Sequence, residues 1–188
     1  MIQELYNRLV KGLGRRARYA SDQYWYIPDN EIGLLYILSW GPWTISRQNQ
    51  VFYEAKQKYK EIGLPLHKIN FPIHIYPLDW QNKYLNKIIE YLYDNNMTWS
   101  EFVSMLRQMG SKSKEFLYKL CDVEYSKVLS CIVRDIVGAD SFPIDRRVRS
   151  FLQKHGLPVD EDVIIEMCRK EGIDPRIFNR LAYMNPRL

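Results

Sequence analysis

The chain has 188 residues, with 27 Lys or Arg against 22 Asp or Glu, a formal surplus of +5 when histidine is neutral. Hydrophobic residues at 46% and charged residues at 26% are the proportions of a globular chain and exclude a disordered one. The longest apolar run, Ile32 to Trp43, is interrupted by Gly33, Ser39, Gly41 and Pro42. It falls short of the about 20 residues that a membrane-spanning helix needs, so the expectation is a cytoplasmic chain with no membrane partner. Cys121, Cys131 and Cys168 are too few for a four-cysteine zinc or iron–sulfur site and read as reduced, buried thiols.

Helical periodicity dominates the chain. Ile2 to Leu13 places Leu5, Leu9, Val10 and Leu13 on one face. A basic knot follows at Arg15, Arg16 and Arg18, then an aromatic cluster at Tyr24, Trp25 and Tyr26. The stretch from about Asn30 to Trp40 is apolar all round, which predicts a buried central helix. Thr44 predicts the cap of a polar helix reaching Ile62, with Gly63 and Pro65 as stops. Residues Leu64 to Leu78 carry three prolines and no helical period, with room for a short extended piece at Ile73 to Tyr76. Asp79 is the expected cap of the next helix. Thr98 and Glu101 have capping-box spacing for the one after it, which Gly110 ends.

Further helices are predicted at about Lys114–Cys121, Ser126–Val137, Asp145–His155, Asp160–Lys170 and Pro175–Met184. The last opens with a cap-and-proline pair, Asp174-Pro175. The expectation is an all-α fold built as one domain over 1–188.

The stretch from Cys121 to Leu152 holds the candidate chemistry. Lys127, Cys131 and Arg134 lie on one line of a helix, four and three residues apart. Asp145 stands where the next helix begins. An amine and a carboxylate at two helix starts can face a common cleft. A desolvated lysine there serves as a nucleophile, while the carboxylate handles protons and stabilises positive charge developing on a sugar ring. The same residues also read as a solvated lysine and an ordinary helix cap. His67, His74 and His155 have neither ligand nor triad spacing.

This stretch resembles the helix-hairpin-helix DNA glycosylases, the superfamily of endonuclease III and the 8-oxoguanine DNA glycosylases. Phe142-Pro143-Ile144-Asp145-Arg146-Arg147-Val148 is similar to their loop, aspartate and following helix. Lys127 and Asp145 stand 18 residues apart, as in the endonuclease III-like members. Lys127-Val128, Ser130 and Arg134-Asp135-Ile136 resemble the short archaeal-type 8-oxoguanine glycosylases in particular. Ile37-Leu38-Ser39 loosely resembles the end of the family's first core helix.

The resemblance implies a two-lobed helical bundle with its cleft near 110–150. The implied activity is base excision on double-stranded DNA carrying an oxidised purine such as 8-oxoguanine, by a monomer without metal or organic cofactor. Lys127 and Asp145 are then catalytic. Val123, Glu124, Tyr125, Ser126, Arg134, Arg146, Arg147 and Arg149 bind DNA, and Trp40, Trp43 and Phe142 are candidates for the base pocket or wedge, with core or loop packing as the alternative for these three.

Two departures stand beside it. The family hairpin carries two glycines, whereas this chain has none between Gly110 and Gly138. With the lysines superposed, Val123 and Tyr125 take the glycine positions. Sliding by one residue puts Asp122-Val123-Glu124 in the hairpin and Ser126 in the lysine's place. Arg147 also stands where the family has histidine. A non-catalytic DNA-binding relative and a monofunctional glycosylase are the alternative expectations.

Overall fold

The apolar spacing folds into helices throughout. A computed structural model describes residues 2–184, with ten α-helices and no strand among the described residues. In chain order these are α1 (Ile2–Leu13), α2 (Glu31–Leu38), α3 (Ile45–Ile62), α4 (Asp79–Asp94) and α5 (Trp99–Met109), then α6 (Lys112–Leu120), α7 (Lys127–Ile132), α8 (Arg146–Lys154), α9 (Glu161–Lys170) and α10 (Pro175–Met184). No described helix is long and apolar enough to cross a membrane.

Short polar side chains set most helix starts by accepting otherwise orphaned backbone N–H groups. Asn30 accepts from Gly33, Thr44 from Arg47, Thr98 from Glu101, Ser126 from Leu129, Asp145 from Val148 and Asp160 from Val163. Asp174 likewise accepts from Arg176 N at 2.8 Å ahead of Pro175. At α4 the outcome differs from the sequence expectation. Asp79 is the first helical residue, and the carbonyl of the Gln81 side chain takes the N–H of Leu78 at 3.3 Å instead. The 64–78 segment forms one short 3₁₀ turn at Leu66–Lys68, and Ile73 to Tyr76 does not form a strand. Asn82 and Asn86 hold it onto α4 by accepting from the N–H groups of Ile73, Ile75 and Tyr76.

The buried side chains sort into two hydrophobic cores. The first spans residues 27 to 139 and is centred on α2, where Leu34, Leu35, Ile37 and Leu38 are 0% exposed. Each such side chain contributes roughly 1.5–3 kcal/mol through burial. Gly33 allows the entry to α2, because a Cβ there would lie 1.7 Å from the Pro28 carbonyl oxygen. The second core joins the two ends of the chain, with α1 packed against α9 and α10, and α8 against α10. Residues 20–31 and 137–146 pass between the cores, and the candidate site lies where they do.

α7 does not continue as a regular α-helix to Val137. From Val133 it widens into a π-turn, closed by the Gly138 N–H on the Val133 carbonyl at 2.9 Å, with Gly138 at φ 76°. Such widened turns recur at functional sites.

Candidate active site

Lys127 is the first residue of α7, and Asp145 caps α8. The Lys127 Nζ lies 3.9 Å from Asp145 Oδ2, with the two side chains 37% and 16% exposed. Asp145 Oδ1 is committed to the Val148 N–H at 2.8 Å, so the cap fixes the carboxylate and leaves Oδ2 toward the lysine. Both residues line a cavity of about 220 Å³ between the cores, walled by Trp25, Tyr36, Trp40 and Tyr183. Gln48 and Asn179 supply amides to its lining. This cavity adjoins a wider groove of about 900 Å³ that shares Lys127, Asp145, Trp40 and Tyr183 and adds Trp43, Arg146 and Arg147. An amine, a carboxylate, aromatic walls and a basic approach therefore meet in one place. Among the described residues no cluster of three metal-ligating side chains occurs.

The loop before Asp145 is tied down at every residue from 141 to 144. The Glu161 carboxylate accepts from Ser141 Oγ and from the Phe142 N–H, each at 2.8 Å, and from Ser130 Oγ at 3.1 Å. Asn179 Nδ2 donates to the Pro143 carbonyl at 3.0 Å. The Tyr125 hydroxyl accepts from the Ile144 N–H at 2.9 Å and donates to the Ile144 carbonyl at 3.2 Å. This phenol takes both backbone groups of the residue just before Asp145. Burial pushes its pKa above the ordinary tyrosine range, so it stays protonated and able to donate.

Lys127, Cys131 and Arg134 all line the cavity, as their spacing on one helix face requires. Burial pushes the Cys131 thiol up to about 11, which keeps it from competing as a nucleophile near neutral pH. Arg134 corrects the expectation of a DNA-contacting side chain. It is 5% exposed and grips Asp135 with two hydrogen bonds of 2.7 and 2.6 Å, while Nη1 donates to Asn179. Burial disfavours its charge, but Asp135 outweighs that and raises its pKa. Arg134 and Arg180 flank the ring of Trp25 at 5.5 and 5.6 Å, which fixes that wall of the cavity.

The other expected residues divide. Arg146 and Arg147 are exposed in the groove, whereas Arg149, also exposed, lines a separate depression beside Glu124 and Tyr125. Trp40 lines both cavity and groove, and its buried indole N–H finds no acceptor among the described residues. Trp43 lines only the groove and donates to the Ser39 carbonyl at 3.0 Å. Phe142 takes the core-packing role and not that of a base-contacting ring. It is 0% exposed in the second core, 5.6 Å from Phe178, and does not line the cleft.

In the hairpin Val123 packs on the first core, while Asp122 and Glu124 are exposed. Asp122 takes the positive φ of 54° that a glycine would adopt freely. Ser126 is buried, with its hydroxyl turned to the Leu129 N–H, so Lys127 and not Ser126 faces Asp145.

Trp25, Tyr36, Gln48, Asn179 and Tyr183 were not expected at the site. Only Trp25, in its aromatic cluster, carried a sequence signal. The rest arrive from α2, α3 and α10, which no local pattern connects to α7. No family model, no curated protein and no solved structure matches this chain.

Proposed function

We propose that the protein is a DNA glycosylase with apurinic-site lyase activity, of the helix-hairpin-helix kind, acting on an oxidised purine. The observation that carries this reading is the Lys127 amine 3.9 Å from the Asp145 carboxylate, inside an aromatic-walled cavity that adjoins a basic groove. A base flipped out of the duplex needs such a pocket, and a damaged or mispaired base flips at least cost. The rings of Trp25, Tyr36, Trp40 and Tyr183 give the aromatic lining that suits a planar heterocycle, and the Gln48 amide can read its edge. The two cores on either side of the cleft, with Lys127 and Asp145 at their junction, fit the two-lobed bundle that the sequence resemblance implies.

The chemistry follows from the residues. Asp145 Oδ2 takes a proton from the Lys127 ammonium, and the freed amine lone pair attacks the sugar C1′. The C1′–N9 bond breaks, its electrons leave with the base, and the base takes up a proton. The Asp145 charge meanwhile stabilises the positive charge that builds on the sugar. Opening of the C1′–O4′ bond with protonation of O4′ gives a Schiff base on Nζ. Loss of a C2′ proton then expels the 3′ phosphate through cleavage of C3′–O, nicking the strand. Water finally hydrolyses the imine and returns the lysine.

A duplex with a single 8-oxoguanine tests the reading by base release and strand nicking. Wild type is expected to do both, and Lys127→Ala to lose nicking entirely. Nicking that survives Lys127→Ala rejects the lyase assignment.

A second reading, a DNA-binding relative without chemistry, is favoured by the hairpin, where Asp122 and Glu124 put exposed carboxylates beside the place a phosphate would occupy. It predicts salt-dependent duplex binding with no release of any base.

A further inference from the structure

Between Glu4 and Asp22 the chain carries five cations and no carboxylate: Arg8, Lys11, Arg15, Arg16 and Arg18. All five are exposed, and none forms an ion pair with a described residue. The molecule's formal surplus is +5, so this segment alone carries as much positive charge as the whole chain has in excess. Unpaired, clustered cations of one sign are what a polyanion with closely spaced charges recognises.

The place of this knot in the fold ties it to the cleft. Arg18 lies over the rings of Tyr19 and Tyr24 at 5.1 and 5.6 Å. Tyr24 is followed directly by Trp25, which walls the cavity. Trp25 meets Tyr183 edge-on at 6.2 Å, and Tyr183 in turn lies 5.2 Å under the guanidinium of Arg147 in the groove. Ring and cation contacts thus lead from the groove to Trp25 in the cavity wall, and the chain itself carries on from Trp25 through Tyr24 to the knot. Arg180 anchors the base of the knot by donating to the Ala20 carbonyl at 3.1 Å.

The geometry points to a second DNA-contact surface, formed by Lys11, Arg15, Arg16 and Arg18, that grips the phosphate backbone of the duplex beyond the Trp25 wall of the cavity. It compensates for the hairpin, which lacks the family's glycines and carries exposed carboxylates at Asp122 and Glu124. The inference rests on the nucleic-acid reading of the cleft. Its partner is double-stranded DNA, recognised by charge and without regard to sequence.

The test is binding of an undamaged duplex, measured by fluorescence anisotropy across a salt titration. Each lost phosphate contact lowers the steepness of log K against log salt by about 0.9. The pair Arg15→Ala and Arg16→Ala is expected to weaken binding and to lower that slope by about 1.8. Lys58→Ala with Lys60→Ala removes the same charge from exposed positions near the far end of α3 and leaves the slope at the wild-type value. Arg15→Lys with Arg16→Lys restores the slope, which separates lost charge from a folding defect. An unchanged slope in the alanine pair, or an equal fall in the α3 pair, overturns the inference. Base release by wild type is scored separately. Release with an unchanged slope removes this surface and keeps the glycosylase, whereas a lowered slope without release does the reverse.

Discussion

At the scale of single residues the candidate site separates into the Lys127–Asp145 pair and the groups that hold it. Asp145 has two duties, capping α8 through Oδ1 and facing Lys127 through Oδ2. Asparagine caps a helix about as well as aspartate but carries no charge and takes up no proton. Asp145→Asn is therefore expected to keep its unfolding free energy within about 0.5 kcal/mol of wild type, as ordinary cap swaps do, while base release falls at least tenfold. Equal activity in that variant would remove the carboxylate from the mechanism. Tyr125 is a positioning residue, since it touches Ile144 and not the cavity. Tyr125→Phe leaves the backbone N–H of Ile144 without its acceptor, which costs about 1–3 kcal/mol. Urea unfolding reads that loss. A variant as stable as wild type would show that the Ile144 groups find other partners.

At the scale of elements, local chemistry in the sequence locates the helices well. Thr98 with Glu101, Asp145, Asp160 and Asp174 all mark true starts, because a cap acts within three residues of itself. Asp79 misled because the cap function passed to a glutamine side chain, a choice that depends on how the preceding irregular segment enters α4. The π-turn at the end of α7 carries no sequence mark beyond Gly138. Arg134 looked like a surface cation for a similar reason. Its partner Asp135 is adjacent, but Asn179, 45 residues on, and the Arg180 and Asp22 pair that completes the network come from far along the chain.

Glu161 shows the same distance dependence, as an α9 carboxylate that organises the loop between α7 and α8. Its removal strips acceptors from buried donors. Glu161→Ala is expected to cost about 3 kcal/mol of stability, and Glu161→Gln, which keeps one oxygen acceptor, distinctly less. Equal melting temperatures for the two variants would contradict that ordering.

At the scale of the whole molecule, the segment leaving α1 is clipped to α10 by Asp22, which pairs with Arg180 at 2.6 Å and Arg176 at 3.2 Å. Burial pushes the Asp22 carboxyl up, but hydrogen bonds and charge from the two arginines outweigh it and hold it below its ordinary value of 3.8. Because the folded value lies below the unfolded one, this contact stabilises the fold fully above that pH and is lost as pH falls through the lowered value. Asp22 is 58% exposed, so solvent screens much of the effect. Asp22→Asn is expected to flatten the acid limb of the stability–pH curve slightly and to leave neutral-pH behaviour near wild type. An unchanged acid limb would show that the clip does not persist in solution.

The all-α architecture was legible in hydrophobic periodicity, and the Lys127–Asp145 pair in a short stretch of chain. The cavity was not, because its walls come from five separated parts of the sequence that only the two cores bring together.

The central claim is that the Lys127 amine forms a covalent imine with the sugar of a damaged nucleotide. Borohydride reduction during reaction with an 8-oxoguanine duplex, followed by mass-spectrometric mapping of the adduct, tests it most directly. The account predicts a reduced nucleotide adduct on the peptide containing Lys127, absent in Lys127→Ala. An adduct on another lysine, or none while the base is released, would contradict it.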